Sequence, residues 1–356
     1  MANHAPAMEI ILQGRADELF DDNINSSNNK PESDWVTNLM LGLEFKSEMR
    51  GLDFNLSGNV YQRYYIDHHE NNANYQDVTL NLNKSITETS SFKITDVFQH
   101  YPDPESFSAM FGRTETTSGY LSNKFSTGLS AYVTKGLFFD VLYINSILKN
   151  KSDAMVDTVL HNPRGDIGYS FDSANILRAG YMYSLMKYED GKQSKGNKEY
   201  AEYEKYFTKQ FRTILHGGYE YITTSDGVSS GPRWMVSIID DVDKNNQLNI
   251  TYLKETAISD TTNDTFNNWS ITGSLRQEIS ERTRINLSLF YGQGTYKISK
   301  VENKLAGVST SIAFIVNEFV NFNIGYNHTW NNTKTPGLEV TAYHRNQASA
   351  GLSATY

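Results

Sequence analysis

Apolar and polar residues alternate along the chain with a period of two. In LDFNLSGNVYQRYYI, Leu52, Phe54, Leu56, Gly58, Val60, Tyr64 and Ile66 fall on one face, and Asp53, Asn55, Ser57, Asn59 and Arg63 on the other. The first face suits lipid and the second suits water. The same stripe recurs in Val78, Leu80 and Leu82, in Ile285, Leu287, Leu289 and Tyr291, and in Val320, Phe322, Ile324, Tyr326 and Trp330. Each predicts a strand with one apolar face. NKEYAEYEKYFTKQF comes nearest to a helical period, and its tyrosines fit a long protruding hairpin equally well.

The connections between these stripes alternate in length. Short ones such as SEMRG, VTKG, FDSAN and KQFRT separate long polar ones such as DHHENNANYQ, HYPDPESFSAMFGRTETT, YEDGKQSKGNKE and TSDGVSSGP. Outer-membrane barrels have this rhythm, with tight periplasmic turns and longer external loops. From DWVTNLMLGLEF onward about 17 strands can be counted, whereas closure of a bacterial antiparallel barrel calls for an even number. MEIILQGRADELF supplies the missing first strand, and its partner should be the last one, RNQASAGLSATY. The predicted class is all-β, a transmembrane antiparallel up-and-down β-barrel of roughly 18 strands formed by residues 9–356. Spacing is too uneven for a solenoid, and a two-sheet sandwich rarely needs so many long strands.

Composition adds limits. The 356 residues include 23 Tyr, 18 Phe and 24 Gly but only 7 Pro, a mixture that favours strands and turns. No apolar run is long enough for a helical span, which leaves β spans open. The absence of Cys fits an oxidising compartment and many cytosolic proteins alike. A net charge of -9 without a basic stripe argues against nucleic acid as a partner. Residues 1–8 contain Ala5-Pro6-Ala7, which has the small-x-small form of a signal-peptidase site but lacks a preceding apolar stretch. It is either the remnant of a cleavage region or accidental.

Two stretches carry resemblances. At the C-terminus, Ser349, Gly351, Ala354 and Tyr356 stand in the order of the C-terminal signal read by the barrel-assembly machinery, with Ala354 smaller than the residue usual there. LFDDNINSS, ESDWVTNLMLGLEFKSEMRGLDFNLSGNVYQRYY and NYQDVTLNLNKSITETSSFKITDVFQHYPDP, spanning roughly residues 19 to 105, resemble an outer-membrane β-barrel porin family associated with exopolysaccharide biosynthesis and export operons. The resemblance implies a fold and a transport context, and supplies no site residues.

Candidate chemistry is sparse. Asp67, His68, His69 and Glu70 are adjacent on one loop, where ligands rarely converge on a single ion. Asp241, Asp243 and Asn245 begin like a calcium loop, but Asn246 replaces its glycine and Tyr252 its glutamate, so a polar hairpin turn is expected. YGQGTY lacks a strand-to-helix context, and no nucleophile motif accompanies the scattered histidines. No enzyme, cofactor or metal is therefore expected. With the apolar stripe toward lipid, Asp53, Arg63, Lys93, Lys124, Asp140, Arg178, Arg276, Glu278 and Arg284 should face the lumen. Both signs together suit a weakly charged, hydrated solute more than a strongly charged polymer. The expectation is an integral outer-membrane pore for exopolysaccharide or another hydrophilic solute. The alternatives are a general diffusion porin and an occluded structural or scaffold barrel. Expected partners are the bilayer and its lipopolysaccharide, the barrel-assembly machinery, the polysaccharide and a periplasmic export component.

Overall fold

A computed structural model describes residues 7–102, 107–111, 119–151, 156–243, 245–259, 264–338 and 340–356. Ala5 and Pro6 of the cleavage-like triplet lie outside the described residues. The strands are β1 (Ala7–Asp21), β2 (Asp34–Met49), β3 (Leu52–Tyr65), β4 (Ala73–Thr87), β5 (Ser90–Tyr101), β6 (Tyr120–Tyr132), β7 (Leu137–Asn150), β8 (Thr158–Ser170) and β9 (Asn175–Tyr188). They continue as β10 (Gln193–Tyr206), β11 (Phe211–Thr224), β12 (Gly227–Asp243), β13 (Asn246–Ile258), β14 (Thr265–Ser280), β15 (Thr283–Tyr296), β16 (Glu302–Ile315), β17 (Val320–Lys334) and β18 (Thr341–Thr355). Consecutive strands pair antiparallel in one 18-stranded sheet, and β1 also pairs with β18, so the sheet closes. Closure leaves no edge for lipid to meet.

The final strand pairs to the last residue. Tyr356 N–H donates to the Leu12 carbonyl at 2.9 Å, and Leu12 N–H donates to the Tyr356 carbonyl at 2.8 Å. Above this pair, Arg345 Nη2 holds Asp21 Oδ2 at 2.6 Å and Asn346 Nδ2 donates to Asp22 at 2.6 Å. The seam is thus paired from Gln13 to Asp21 and extended at both ends by these bonds.

One-sided burial explains the period of two. Leu41, Val60, Val78, Leu215, Ile250, Ile324 and Leu352 are exposed on the outer face, while their sequence neighbours turn inward. The register keeps this parity from strand to strand, as in Leu41 opposite Val60 and Phe322 opposite Leu352. NKEYAEYEKY belongs to β10, whose alternation is inverted in chemistry: Lys198, Glu202 and Glu204 take part in ion pairs inside, and Tyr203 faces out. TSDGVSSGP, expected as a long loop, is a tight turn at Ser225 and Asp226 between strands that run on beyond the belt. Backbone groups in water can still pair with each other, so loss of the lipid-facing pattern does not end a strand.

Four short turns share one construction. In VTKG, FDSA, FTKQ and VNEF, Thr134, Asp172, Thr208 and Asn317 stand second, and each side-chain oxygen accepts the backbone N–H two residues on. The preceding residue, Val133, Phe171, Phe207 or Val316, is exposed. Such an apolar rim suits the membrane interface. The Thr208→Ala barrel should lose about 1 kcal/mol, measured as a lower urea midpoint at unchanged slope. At Asp172 the Ala174 N–H, then the Asn175 side chain, hold the carboxyl below its usual range. That turn's contribution is therefore present above the ordinary carboxylate range and fades as pH falls through the depressed value.

Candidate functional site

Between Tyr101 of β5 and Tyr120 of β6, which still pair, the chain leaves the wall. Within this connection, α1 (Phe107–Met110) and Phe111 lie against β14, β15 and β16, about halfway round the ring. Met110 packs with Phe290 and the fully buried Leu305, flanked by Phe107 and Phe111. The Phe111 ring meets Phe266 at 5.2 Å and Phe290 at 5.4 Å, edge to face in both cases. Two glycines make the sockets. A Cβ at Gly292 would fall 2.8 Å from the Phe111 ring, and one at Gly307 would occupy the place of Phe107. Phe107–Phe111 thus dock on the wall opposite β5 and β6.

Two polar cavities line the lumen, and the first includes Met110. One of about 350 Å³ is lined by Arg15, Asp17, Asn38, Tyr61, Arg63, Tyr75, Met110 and Arg345. Arg15 holds Asp17 at 2.7 Å, and the Arg63 guanidinium lies 5.2 Å over the Tyr75 ring, which stacks on Tyr61 at 4.6 Å. Another of about 970 Å³ is lined by Lys93, Lys124, Asp140, Arg164, Asp166 and Arg178 among others.

An ionic ladder continues round the wall from this second cavity. Arg164 Nε meets Asp166 at 2.6 Å, Arg178 meets Glu202 at 2.8 Å, and Arg212 meets Glu204 at 3.4 Å. Lys198 meets Glu220 at 3.1 Å and Arg233 meets Glu255 at 3.4 Å. Tyr200 donates to Asp166 and stacks on His216 at 4.6 Å. Glu220 is fully buried, between Lys198 and Arg233. The β12–β13 register stops at Trp234, and beyond it the Glu220 carboxylate accepts the Thr256 N–H at 2.7 Å. Charges held this way are rungs of opposite sign, which leaves the wall polar without a dominant sign.

The structure gathers only some of the residues predicted for the lumen. Lys93, Lys124, Asp140 and Arg178 share the larger cavity, and Arg63 lies in the smaller one. By register, Asp53, Arg276, Glu278 and Arg284 also turn inward, but near the tight turns: Asp53 opposite Glu48, Glu278 opposite Arg284, and Arg276 opposite Asn286. Ser349 and Gly351 face inward, whereas Ala354 and Tyr356 face out, with the Tyr356 ring 5.8 Å from Phe319. The loop residues Asp67 and His68 give their backbone N–H groups to Asp34, and His68 Nδ1 lies 3.2 Å from Glu70. Asp243 accepts the N–H groups of Asn245 and Asn246 and closes a hairpin.

Sequence reading missed the docked segment and most of the ladder. FSAMF, an apolar cluster inside a polar external loop, was the available sign of the first. The ladder had no comparable sign, because its rungs join residues on different strands.

No family model matches the sequence, and no curated protein matches it. Solved structures do. OccAB4 of Acinetobacter baumannii superposes with a TM-score of 0.51 at 11% identity, over 99% of this chain and 100% of that one. The outer membrane protein OpdK of Pseudomonas aeruginosa gives 0.50 at 10% identity, over 98% and 99%. OccK9 (OpdG) of the same organism gives 0.50 at 10% identity, over 98% of both chains. At this identity the likeness is one of fold. A closed 18-stranded barrel with an apolar outer belt, in the fold of outer-membrane proteins, is an integral outer-membrane barrel.

Proposed function

We propose that this protein is a general pore for small hydrophilic solutes. The observation that carries this reading is the wall of the lumen: mixed, paired charges line a cavity beside Met110 of the docked segment and a larger one along β4–β9. A narrow, hydrated opening with paired charges admits small polar solutes and selects weakly by sign. The exopolysaccharide reading rests on the resemblance of residues 19 to 105, and the structural comparisons add nothing to it. A segment docked on the inner wall also works against threading a long chain. General diffusion therefore accounts for the geometry better than polymer export. On this reading the bilayer and its lipopolysaccharide surround the barrel, and the barrel-assembly machinery inserts it.

Reconstituted barrels should conduct in planar bilayers with weak ion selectivity. Proteoliposomes should swell rapidly in monosaccharides and slowly or not at all in long oligosaccharides. Absence of current under all conditions would overturn the pore reading in favour of an occluded scaffold. Equal passage of long oligosaccharides, together with loss of surface polysaccharide on gene deletion, would restore polymer export.

A further inference from the structure

Asp96 lies on the wrong face of its strand. Its neighbours Thr95 and Val97 line the lumen, so the parity of β5 sends Asp96 outward with Ile94 and Phe98. Cross-strand partners agree, since Asp96 lies opposite Leu80 on β4 and Phe125 on β6. In a tilted barrel each cross-strand step climbs by about one residue. Traced through the register with that correction, Asp96 is level with the exposed Val78, Leu41, Leu352, Ile324, Ile250 and Leu215. This level is the middle of the apolar belt.

An ionised carboxylate facing acyl chains at that depth is unfavourable, and ionisable residues there usually have a partner. Asn123 Nδ2 donates to Oδ1 at 2.8 Å. Among the described residues Oδ2 has no donor. Among the apolar side chains around it, polar ones recur on the outer face of the next three strands. Asn123 lies diagonally from Asn145 on β7, and the Tyr143 hydroxyl lies 2.8 Å from His161 Nδ1 on β8. Asp96 brings an acceptor oxygen that lacks a donor, and Tyr143 brings a hydroxyl whose bond to His161 Nδ1 runs in either direction according to the imidazole tautomer, with Asn145 Nδ2 also 3.4 Å from that nitrogen. Two strands apart, Asp96 and Tyr143 stand at nearly the same depth.

That arrangement is self-complementary. A two-fold axis along the bilayer normal preserves depth, and an axis passing near Thr127 on β6 places β5 of one molecule against β7 of another. We propose that the β5–β8 face is covered by a second copy of this chain, with Tyr143 of each copy donating to Asp96 of the other. The arrangement requires the Nδ1–H tautomer of His161, donating to the Tyr143 oxygen, with Asn145 Nδ2 held by the Leu160 carbonyl at 3.0 Å. The carboxylate leaves the lipid, and both copies gain the same contact.

The chain has no cysteine, so a single introduced thiol reports proximity without background. Thr127→Cys, oxidised in native outer membranes, should give a disulfide-linked species of twice the monomer mass. Leu289→Cys, exposed on β15 across the barrel, should remain monomeric. Adding Asp96→Leu to Thr127→Cys should abolish the dimer while the barrel keeps its heat-modifiable gel mobility. A monomeric Thr127→Cys protein, or equal crosslinking at both positions, would overturn the proposal. So would a crosslink to a protein of another mass, or a dimer unaffected by Asp96→Leu in a folded barrel.

Discussion

Single-channel conductance should rise roughly twofold or more when Phe107, Met110 and Phe111 are all replaced by serine, because the constriction is held by their burial and not by the strands. Each of these side chains contributes roughly 1.5–3 kcal/mol through the apolar surface it removes from water, as an upper estimate. Together they are of the same order as the entropy recovered when a short segment is freed. Removing all three leaves nothing to offset that entropy, so the docked state is lost in the triple variant. Barrel stability should change little, since the replaced residues belong to no strand. Channel noise should increase as the freed segment samples the lumen.

A wall variant tests the same contact from the other side. Gly307→Val adds a Cβ where the Phe107 ring lies, without touching the segment itself. If docking sets the conductance, Gly307→Val and the triple serine variant should shift it in the same direction. Combining them should add little further. Unchanged conductance in both would mean that the narrowest point lies elsewhere.

What the sequence made legible follows from where burial is one-sided. Strands between lipid and a wet lumen must alternate, so Leu52 to Ile66 could be placed on two faces without coordinates. Closure could be inferred as well, because an even strand count leaves only MEIILQGRADELF to meet the C-terminal strand, as β1 does. Single lumen charges were also accessible by the same rule. Their partners were not, because Arg178 reaches Glu202 and Glu204 through the β9–β10 register, and Arg345 reaches Asp21 across 324 positions. Local pattern carries no record of such distances. The docked segment was hidden for a different reason: Phe107 and Phe111 bury against glycines, whose contribution is the absence of a side chain. Asp96 breaks the alternation rule itself, which marks it as a residue whose surroundings include more than lipid.

Gly351→Val should prevent closure of the barrel, whereas Ala350→Val, one residue away, should be tolerated. Gly351 lies opposite Asp17 across the β1–β18 seam, and a Cβ there would come within 2.5 Å of the Ala16 carbonyl oxygen and 2.7 Å of Asp17 Cα. These are backbone atoms, so no rotamer change makes room. Parting the strands would expose unpaired N–H and C=O groups, each costing several kcal/mol where water is absent. Ala350 carries the same added bulk outward, into lipid. In cells the Gly351 variant should accumulate unfolded, without heat-modifiable mobility on gels. The same glycine stands in the stretch that resembles an assembly signal, and refolding separates the two causes. If the defect is steric, purified Gly351→Val will also fail to fold in detergent, where no assembly machinery acts. If it folds there normally, recognition and not packing explains the glycine.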